Sequence, residues 1–261
     1  MCTVVLLHRP NHPWPLILGA NRDEMLNRPW KPPARHWPER PDVVAGLDEL
    51  AGGTWMGLND TGVVACILNR HGSLGPAPGK RSRGELVLDA LDHSDANDAA
   101  GALRDLDPAA YRPFNMLIAD NRDAWWLALA GAHTTVRMER IPEGLSMFTA
   151  FDRNDMNDPR IAAYLPRFQN AAAPEPETSA WESWRSLLAG KESAEPPTSA
   201  MSFRTESGFG TSSSSLLALP SVDSAFGPGA KRPVWLFAPG PPETAKFEPV
   251  DIFESPRQIR H

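Results

Sequence analysis

The stretch MCTVVLLHRPNHPWPLILGANRDE, residues 1–24, carries the clearest structural signal in this chain of 261 residues. Two apolar runs, at 2–8 and 15–21, flank a short proline-rich connection, a pattern that predicts two neighbouring antiparallel strands. Such a hairpin would return Arg22 and Asp23 to the side of Cys2. The sequence therefore predicts a polar cluster beside a cysteine that directly follows the initiator methionine.

The remaining pattern alternates groups of strands with pairs of helices. Ser82 and Glu85 have capping-box spacing, and Ser94 or Asp95 is a candidate cap for the next helix. Strand groups set apart from helix groups favour an α+β fold with two antiparallel sheets and outer helices, in a single domain spanning 1–261. The four strands from 114 to 150 suggest one meander. Predicted strands also cover 43–48, 53–59, 62–69, 114–120, 124–130, 134–141, 144–150, 208–219, 232–238 and 247–253, and predicted helices cover 82–92, 96–106, 158–168 and 179–190.

Composition narrows the class of protein. The formal charge is −6 and no basic stripe is visible, which argues against a nucleic-acid partner. The two cysteines do not form a disulfide framework, and no apolar run approaches the ~18 residues of a membrane helix or looks like a signal peptide. The histidine spacing matches no metal motif. We therefore expect a cytoplasmic protein with no metal or other cofactor and no stable membrane insertion, and leave a homo-oligomer open.

The position of Cys2 suggests nucleophilic chemistry. If Met1 is removed, Cys2 carries a thiol and an α-amine on one residue, and the amine can serve as the general base. Arg22 could stabilise the thiolate, which would lower its pKa, and Asp23 could hold the amine. On position alone, the alternative is that Cys2 is simply a small apolar residue that begins a strand.

Four segments together resemble the NRDE family, whose eukaryotic members are named transport and Golgi organisation proteins. They are MCT at 1–3, ANRDE at 20–24, GGTWMGLNDTGVVACILNR at 52–70 and SRGELV at 82–87. That family is in turn similar to N-terminal-nucleophile hydrolases of the choloylglycine hydrolase and penicillin acylase type. The resemblance implies a four-layer αββα fold, with catalytic residues at Cys2, Arg22, Asp23 and Asn69.

The implied reaction is hydrolysis or acyl transfer at a C–N amide bond of a small molecule, through a thioester on Cys2. Asn69 would stabilise the oxyanion. Trp55 and Asn21 are candidate substrate contacts, although Trp55 could equally fill the core. The alternative is a non-catalytic binding or trafficking module for a hydrophobic cofactor such as haem, or for acyl-CoA or lipid.

Three features stand outside this pattern. Met147 occupies a position where relatives have an amide, and Ser212 replaces an arginine, so two substrate contacts of the hydrolases are in question. The loop GSLGPAPGKRSRG, at 72–84, carries Lys80, Arg81 and Arg83 but lacks the order of a phosphate loop. It is either a mobile loop near the pocket mouth or an anion-binding segment.

Overall fold

The architecture follows from thirteen strands and four α-helices in the described residues. The computed structural model describes residues 2–131, 135–193, 196–225 and 229–253. The strands are β1 (Thr3–His8), β2 (Leu16–Met25), β3 (Trp30–Ala34), β4 (Val43–Asp48), β5 (Met56–Asn59), β6 (Val64–Asn69), β7 (Phe114–Ala119), β8 (Ala124–Leu129), β9 (Arg137–Arg140), β10 (Gly144–Phe148), β11 (Phe209–Leu219), β12 (Val234–Ala238) and β13 (Glu248–Pro249); the helices are α1 (Gly84–Leu91), α2 (Ala96–Arg104), α3 (Pro159–Asn170) and α4 (Glu182–Leu188).

Two antiparallel sheets form the centre. One has the order β10-β1-β2-β11-β12-β13, and the other has the order β3-β4-β5-β6-β7-β8-β9. Apolar side chains from both sheets, such as Leu18 and Leu117, pack between them. The second sheet packs its other face on α1 and α2, and the first sheet packs on α3 and α4. The result is an αββα sandwich, so the predicted α+β fold class is confirmed.

The N-terminal hairpin forms as predicted. Thr3 pairs with Asn21 and His8 with Leu16, so the start of β1 lies beside the NRDE segment of β2. On its other side β2 pairs with β11, where the register shifts between Thr211 and Ser213. Such a bulge inserts an extra residue into the strand and redirects side chains locally. It lies directly opposite Arg22 and Asp23.

Some expectations need correction. The fourth strand of the predicted meander, β10, leaves the second sheet and pairs with β1 in the first. The proline-rich segment 30–34, which lies outside the predicted strands and helices, forms β3 at a sheet edge, where prolines are tolerated. The capping box of Ser82 and Glu85 does not form, because α1 begins after Arg83 without a side-chain cap. Asp95 does cap α2. Residue 134 of the predicted strand 134–141 lies outside the described residues.

Candidate active site

Cys2 lies at the head of the N-terminal hairpin, against the backbone of β2. Its sulfur Sγ accepts a hydrogen bond from the Asp23 N–H at 3.4 Å and lies 3.6 Å from the Asp23 carbonyl oxygen. The same sulfur can therefore donate its proton to the carbonyl as a thiol or accept from the N–H as a thiolate. The side chain is half-buried.

A cleft of about 700 Å³ opens beside this sulfur. Its lining comes from the NRDE segment, the GGTW segment, the end of β6 and the loop at 74–84, and it includes Cys2, Arg22, Trp55, Asn69 and Arg83. Behind Cys2, a cavity of only about 20 Å³ reaches Cys66 between the two sheets. The cleft therefore brings together three of the four predicted catalytic side chains and the predicted pocket tryptophan.

Arg22 is buried on the cleft side of β2. Its guanidinium lies 4.4 Å from the centre of the Trp55 ring, and Nη1 donates to Ser212 Oγ at 3.2 Å. Glu24 and Asp48 lie at 4.0 and 3.9 Å, too far for strong ion pairs. Stacking on an aromatic face holds a guanidinium while leaving its edge available. Arg22 is thus fixed in place with its charge only weakly compensated.

Asp23 points the opposite way, into the layer between the first sheet and the outer helices. Its carboxylate accepts from Arg160 Nη1 at 2.9 Å and from Thr211 Oγ1 at 2.9 Å. Arg160 also donates to Thr3 Oγ1 at 2.7 Å and to the Thr198 carbonyl at 2.6 Å. The Asp23 backbone contacts Cys2, whereas its carboxylate is committed to a buried ion pair.

Asn21 does not face the cleft, which corrects its assignment as a substrate contact. Its Nδ2 donates to the carbonyls of Leu188 and Met201, each at 2.9 Å, and its oxygen accepts from Ser214 Oγ. The amide is buried among these partners. Side chains alternate across a strand, so Asn21 and Asp23 share the helix-facing side while Arg22 faces the cleft. Asn21 ties β2 to the helix layer.

Asn69 ends β6 on the wall of the cleft. It is half-buried, and in the described part of the chain its side-chain amide has no hydrogen-bond partner. Its backbone pairs with Phe114, which fixes its place at the strand end. The amide is therefore available to a molecule in the cleft.

Two glycines explain how Trp55 and Arg83 reach the same cleft. Gly53 and Gly84 pack backbone to backbone: a Cβ on Gly53 would lie 2.5 Å from the Gly84 carbonyl carbon, and one on Gly84 would lie 3.0 Å from Thr54 N. The Thr54 N–H donates to the Gly84 carbonyl at 3.1 Å. The GGTW and SRG segments are locked together by a contact that only glycine allows.

The environment of the sulfur opposes the depressed pKa that the sequence suggested. Burial raises the pKa of the Cys2 thiol, and the negative charge of Asp23 raises it further. The positive charge of Arg22 lowers it, but by less. Burial likewise raises the pKa of the Cys66 thiol. In the chain that carries Met1, Cys2 is therefore mainly a thiol near neutral pH.

The two departures from the family pattern have different outcomes. Met147 is fully buried in the core between the first sheet and the outer helices, so it does not line the cleft. Ser212 lies at the bulge of β11, accepts from Arg22 and donates to the Arg22 carbonyl at 3.1 Å. Ser212, at the position where relatives have an arginine, thus forms hydrogen bonds that hold Arg22 in place.

Sequence reasoning missed Arg160 and Thr211. Arg160 sits in a helix 137 positions after Asp23, and its side chain is only 3% exposed. An arginine that follows Asp158 and Pro159 at the start of a helix is expected to face solvent. The local sequence therefore gives no sign that Arg160 is buried. Thr211 lies in the predicted strand 208–219, where the bulge directs its side chain to Asp23.

No group of His, Cys, Asp or Glu side chains that could hold a metal ion occurs in residues 2–131, 135–193, 196–225 and 229–253. Within those same ranges, no helix has the length and apolar character needed to cross a bilayer.

Comparison with known proteins gives the family. The model of the family "Transport and Golgi organisation 2" matches residues 1–150 of this chain. The chain belongs to the transport and Golgi organisation 2 family. The match contains the N-terminal hairpin, the GGTW segment and the SRGELV helix start.

Curated members of this family are similar over part of their length. The transport and Golgi organization 2 homologue of Mus musculus is 37% identical over 117 residues, and that of Homo sapiens is 35% identical over 117 residues. Each alignment covers 40% of this chain and 38% of the relative. The likeness thus concerns a minority of each relative's length.

Solved structures show the same fold at low identity. The N-acylethanolamine-hydrolyzing acid amidase orthologue of Caenorhabditis elegans matches with a TM-score of 0.54 and 14% identity, covering 82% of this chain and 92% of that one. A variant of the conjugated bile acid hydrolase of Clostridium perfringens has a TM-score of 0.54 and 12% identity, covering 96% and 92%. The family member described here therefore has the sandwich architecture of N-terminal-nucleophile hydrolases.

Proposed function

We propose that the chain is a cysteine amide hydrolase or acyltransferase acting on a small molecule, with Cys2 as its N-terminal nucleophile. One observation carries the proposal: the Cys2 sulfur touches the Asp23 backbone at the head of a cleft that Arg22 and Asn69 also line. The fold, shared with an N-acylethanolamine-hydrolyzing acid amidase and a conjugated bile acid hydrolase, supports it. The proposal requires that Met1 be removed.

The proposed reaction begins when the α-amine of Cys2 takes the thiol proton and the sulfur attacks the amide carbonyl carbon. A C–S bond forms, and the oxyanion accepts from the Asn69 amide. The C–N bond then breaks as the α-ammonium returns the proton to the leaving amine. Water, deprotonated by the same amine, attacks the thioester, which releases a carboxylic acid and restores the thiol. A second amine in place of water would give acyl transfer.

Removal of Met1 would change the electrostatics of the sulfur. A new α-ammonium on Cys2 itself would add a positive charge within one residue of a thiol whose pKa is now raised by burial and by Asp23. Arg22 acts in the same direction. Together they would favour the thiolate that the reaction needs.

A binding role is the second candidate, and the raised pKa of Cys2 favours it, because a protonated thiol is a poor nucleophile. The cations of the loop at 74–84 suit an acyl-CoA phosphate group better than haem, since no histidine of the described residues lines the cleft. In this role the cleft binds its ligand and releases it unchanged.

The test measures turnover and binding on matched variants, using a panel of N-acyl amines, N-acyl amino acids and acyl-CoAs. Intact mass first establishes whether Met1 is absent. We expect Cys2→Ala to abolish amide hydrolysis, Cys2→Ser to retain at most a trace, and Asn69→Ala to slow turnover roughly 10²–10³-fold. Cys66→Ala is the matched control and should keep its activity.

The binding role predicts the reverse. Cys2→Ala would then bind ligand as tightly as the unmodified chain, and Trp55→Ala would weaken binding. Turnover that survives Cys2→Ala, or a chain that retains Met1 and hydrolyses no amide, defeats the hydrolase proposal.

A further inference from the structure

Arg83 is a cleft-lining cation whose charge the protein leaves without an acidic partner. In the described part of the chain it forms no ion pair; its hydrogen bonds go to the Ser73 carbonyl, the Ser73 hydroxyl and the Pro113 carbonyl, at 2.9, 3.0 and 2.8 Å. Burial and the neighbouring charge of Arg112 lower the pKa of Arg83 to about 10. A partly buried charge of this kind is costly unless something compensates it.

The geometry of the guanidinium shows which edge is available. All three hydrogen bonds use Nη1. The Nε and Nη2 hydrogens of an arginine point the same way and form the fork that binds a carboxylate with two parallel bonds. Neither of these two nitrogens is among the fully buried polar atoms without a partner. Both nitrogens therefore keep some accessible surface, on a residue that lines the cleft.

The surroundings favour an anion. Arg112 is a second cation near Arg83. Among the described residues, its own hydrogen bonds go to backbone carbonyls, including those of Gly72 and Leu74, and not to an acidic group. Glu24 is an acidic side chain within electrostatic reach of Arg83, and it accepts from the backbone N–H of Met25 and lies near Arg22. A bound carboxylate would relieve the repulsion between the two arginines.

We propose that the Nε–Nη2 fork of Arg83 binds a carboxylate on the amine portion of the substrate, so that the cleft takes N-acyl amino acids. This inference rests on the proposed amide hydrolysis. Arg83 and Cys2 line the same cleft and interact electrostatically, so an anion on Arg83 would lie in the cleft that holds the reacting sulfur. In an N-acyl amino acid the carboxylate is separated from the amide nitrogen by a single carbon, so both groups would lie in this one cleft.

Binding to the Cys2→Ala variant tests the subsite without turnover. N-octanoylglycine carries the carboxylate, and N-octanoylglycinamide is its neutral match. Calorimetry should show at least tenfold tighter binding of the acid, as expected for a charge-assisted bidentate contact. Adding Arg83→Gln should bring the two affinities within about twofold, whereas adding Arg104→Gln, which removes an exposed cation on α2 outside the cleft, should leave the preference intact.

Arg83 also braces Ser73 and Pro113, so each variant is checked by thermal unfolding, and Arg83→Lys provides a second one. Lysine keeps the charge but not the fork, and should lose most of the preference. Equal binding of acid and amide to Cys2→Ala, or an acid preference that survives Arg83→Gln in a folded protein, overturns the inference. So does octanoyl-CoA binding tighter than the acid through Arg83, because the anion would then be a phosphate.

Turnover separates this inference from the proposed function. Hydrolysis of N-octanoylglycine that exceeds that of its amide, and loses this margin in Arg83→Gln, supports both. If the chain with Cys2 intact hydrolyses neither compound but shows acid binding that depends on Arg83, the hydrolase proposal fails and the carboxylate subsite stands.

Discussion

The two faces of β2 use the same four-residue motif for different purposes. On the cleft face, Arg22 stacks on Trp55 and makes only long contacts with acidic groups. On the helix face, Asn21 and Asp23 form short hydrogen bonds to other elements, and the Asp23 carboxylate forms a fully buried ion pair with Arg160. One face is left chemically open, whereas the other is closed.

The difference shows that a polar cluster in a sequence is not a list of catalytic groups. Strand alternation sends neighbouring residues to opposite sides, so the site receives one side chain of the NRD tripeptide and the scaffold receives two. The scaffold residues still matter to the site, because the Asp23 backbone carries the N–H that reaches Cys2. The comparison predicts losses of stability on one face and losses of activity on the other.

The largest effect is expected on the closed face. Asp23→Ala leaves the Arg160 charge buried without its carboxylate, which should lower the free energy of unfolding by about 3–5 kcal/mol. Denaturant unfolding measures this change. The neighbouring Glu24→Ala is the control and should cost less than about 1 kcal/mol, because its ion pairs are long and half-exposed. Equal losses in the two variants would remove the distinction between the faces.

On the open face, Arg22→Gln should reduce kcat/KM for amide hydrolysis roughly 10²-fold, as when one charge-stabilising group is lost. The free energy of unfolding should fall by no more than about 2 kcal/mol, since the variant loses a cation–π contact and weak ion pairs. Steady-state kinetics and denaturant unfolding are measured on the same preparation. If Arg22→Gln is fully active but unstable, Arg22 stabilises the fold and does not take part in catalysis.

The Asn21→Ala variant tests whether Asn21, the first residue of the motif, stabilises the fold or contacts substrate. Its loss leaves the Leu188 and Met201 carbonyls and the Ser214 hydroxyl without their partner, so we expect destabilisation of about 1–3 kcal/mol. KM should not change. A raised KM with unchanged stability would instead show that Asn21 contacts substrate.

The smallest effect concerns the two thiols that flank the small cavity. With Met1 present, iodoacetamide should modify Cys2 about tenfold faster than Cys66 at pH 8, because Cys2 reaches the cleft whereas Cys66 is buried between the sheets. Both pKa values are raised above the ordinary value of a thiol, so the thiolate fraction and the Cys2 rate should grow about tenfold per pH unit between about pH 6 and 8. Peptide mass spectrometry follows each thiol. A Cys2 rate that levels off near pH 7 would show a depressed pKa.

Much of the fold could be predicted because short stretches of the sequence specify its strands and helices. Apolar runs with turns between them predict the strands, and the spacing of Leu86, Val87 and Ala90 predicts α1. The short link between β1 and β2 leaves little choice but a hairpin, which is why the pairing of Thr3 with Asn21 was predictable. The assignment of β10 to the other sheet was not, because pairing partners depend on contacts far apart in sequence.

The sequence by itself determined the hairpin that places Cys2 beside NRDE and the family to which the chain belongs. Only the tertiary structure decided what those residues touch. Arg160 and Thr211 come to Asp23 from 137 and 188 positions away, and Ser212 reaches Arg22 through a bulge. Such contacts arise when the layers pack, because the alternation of a strand and the burial of a charge are satisfied by partners that no local pattern can specify.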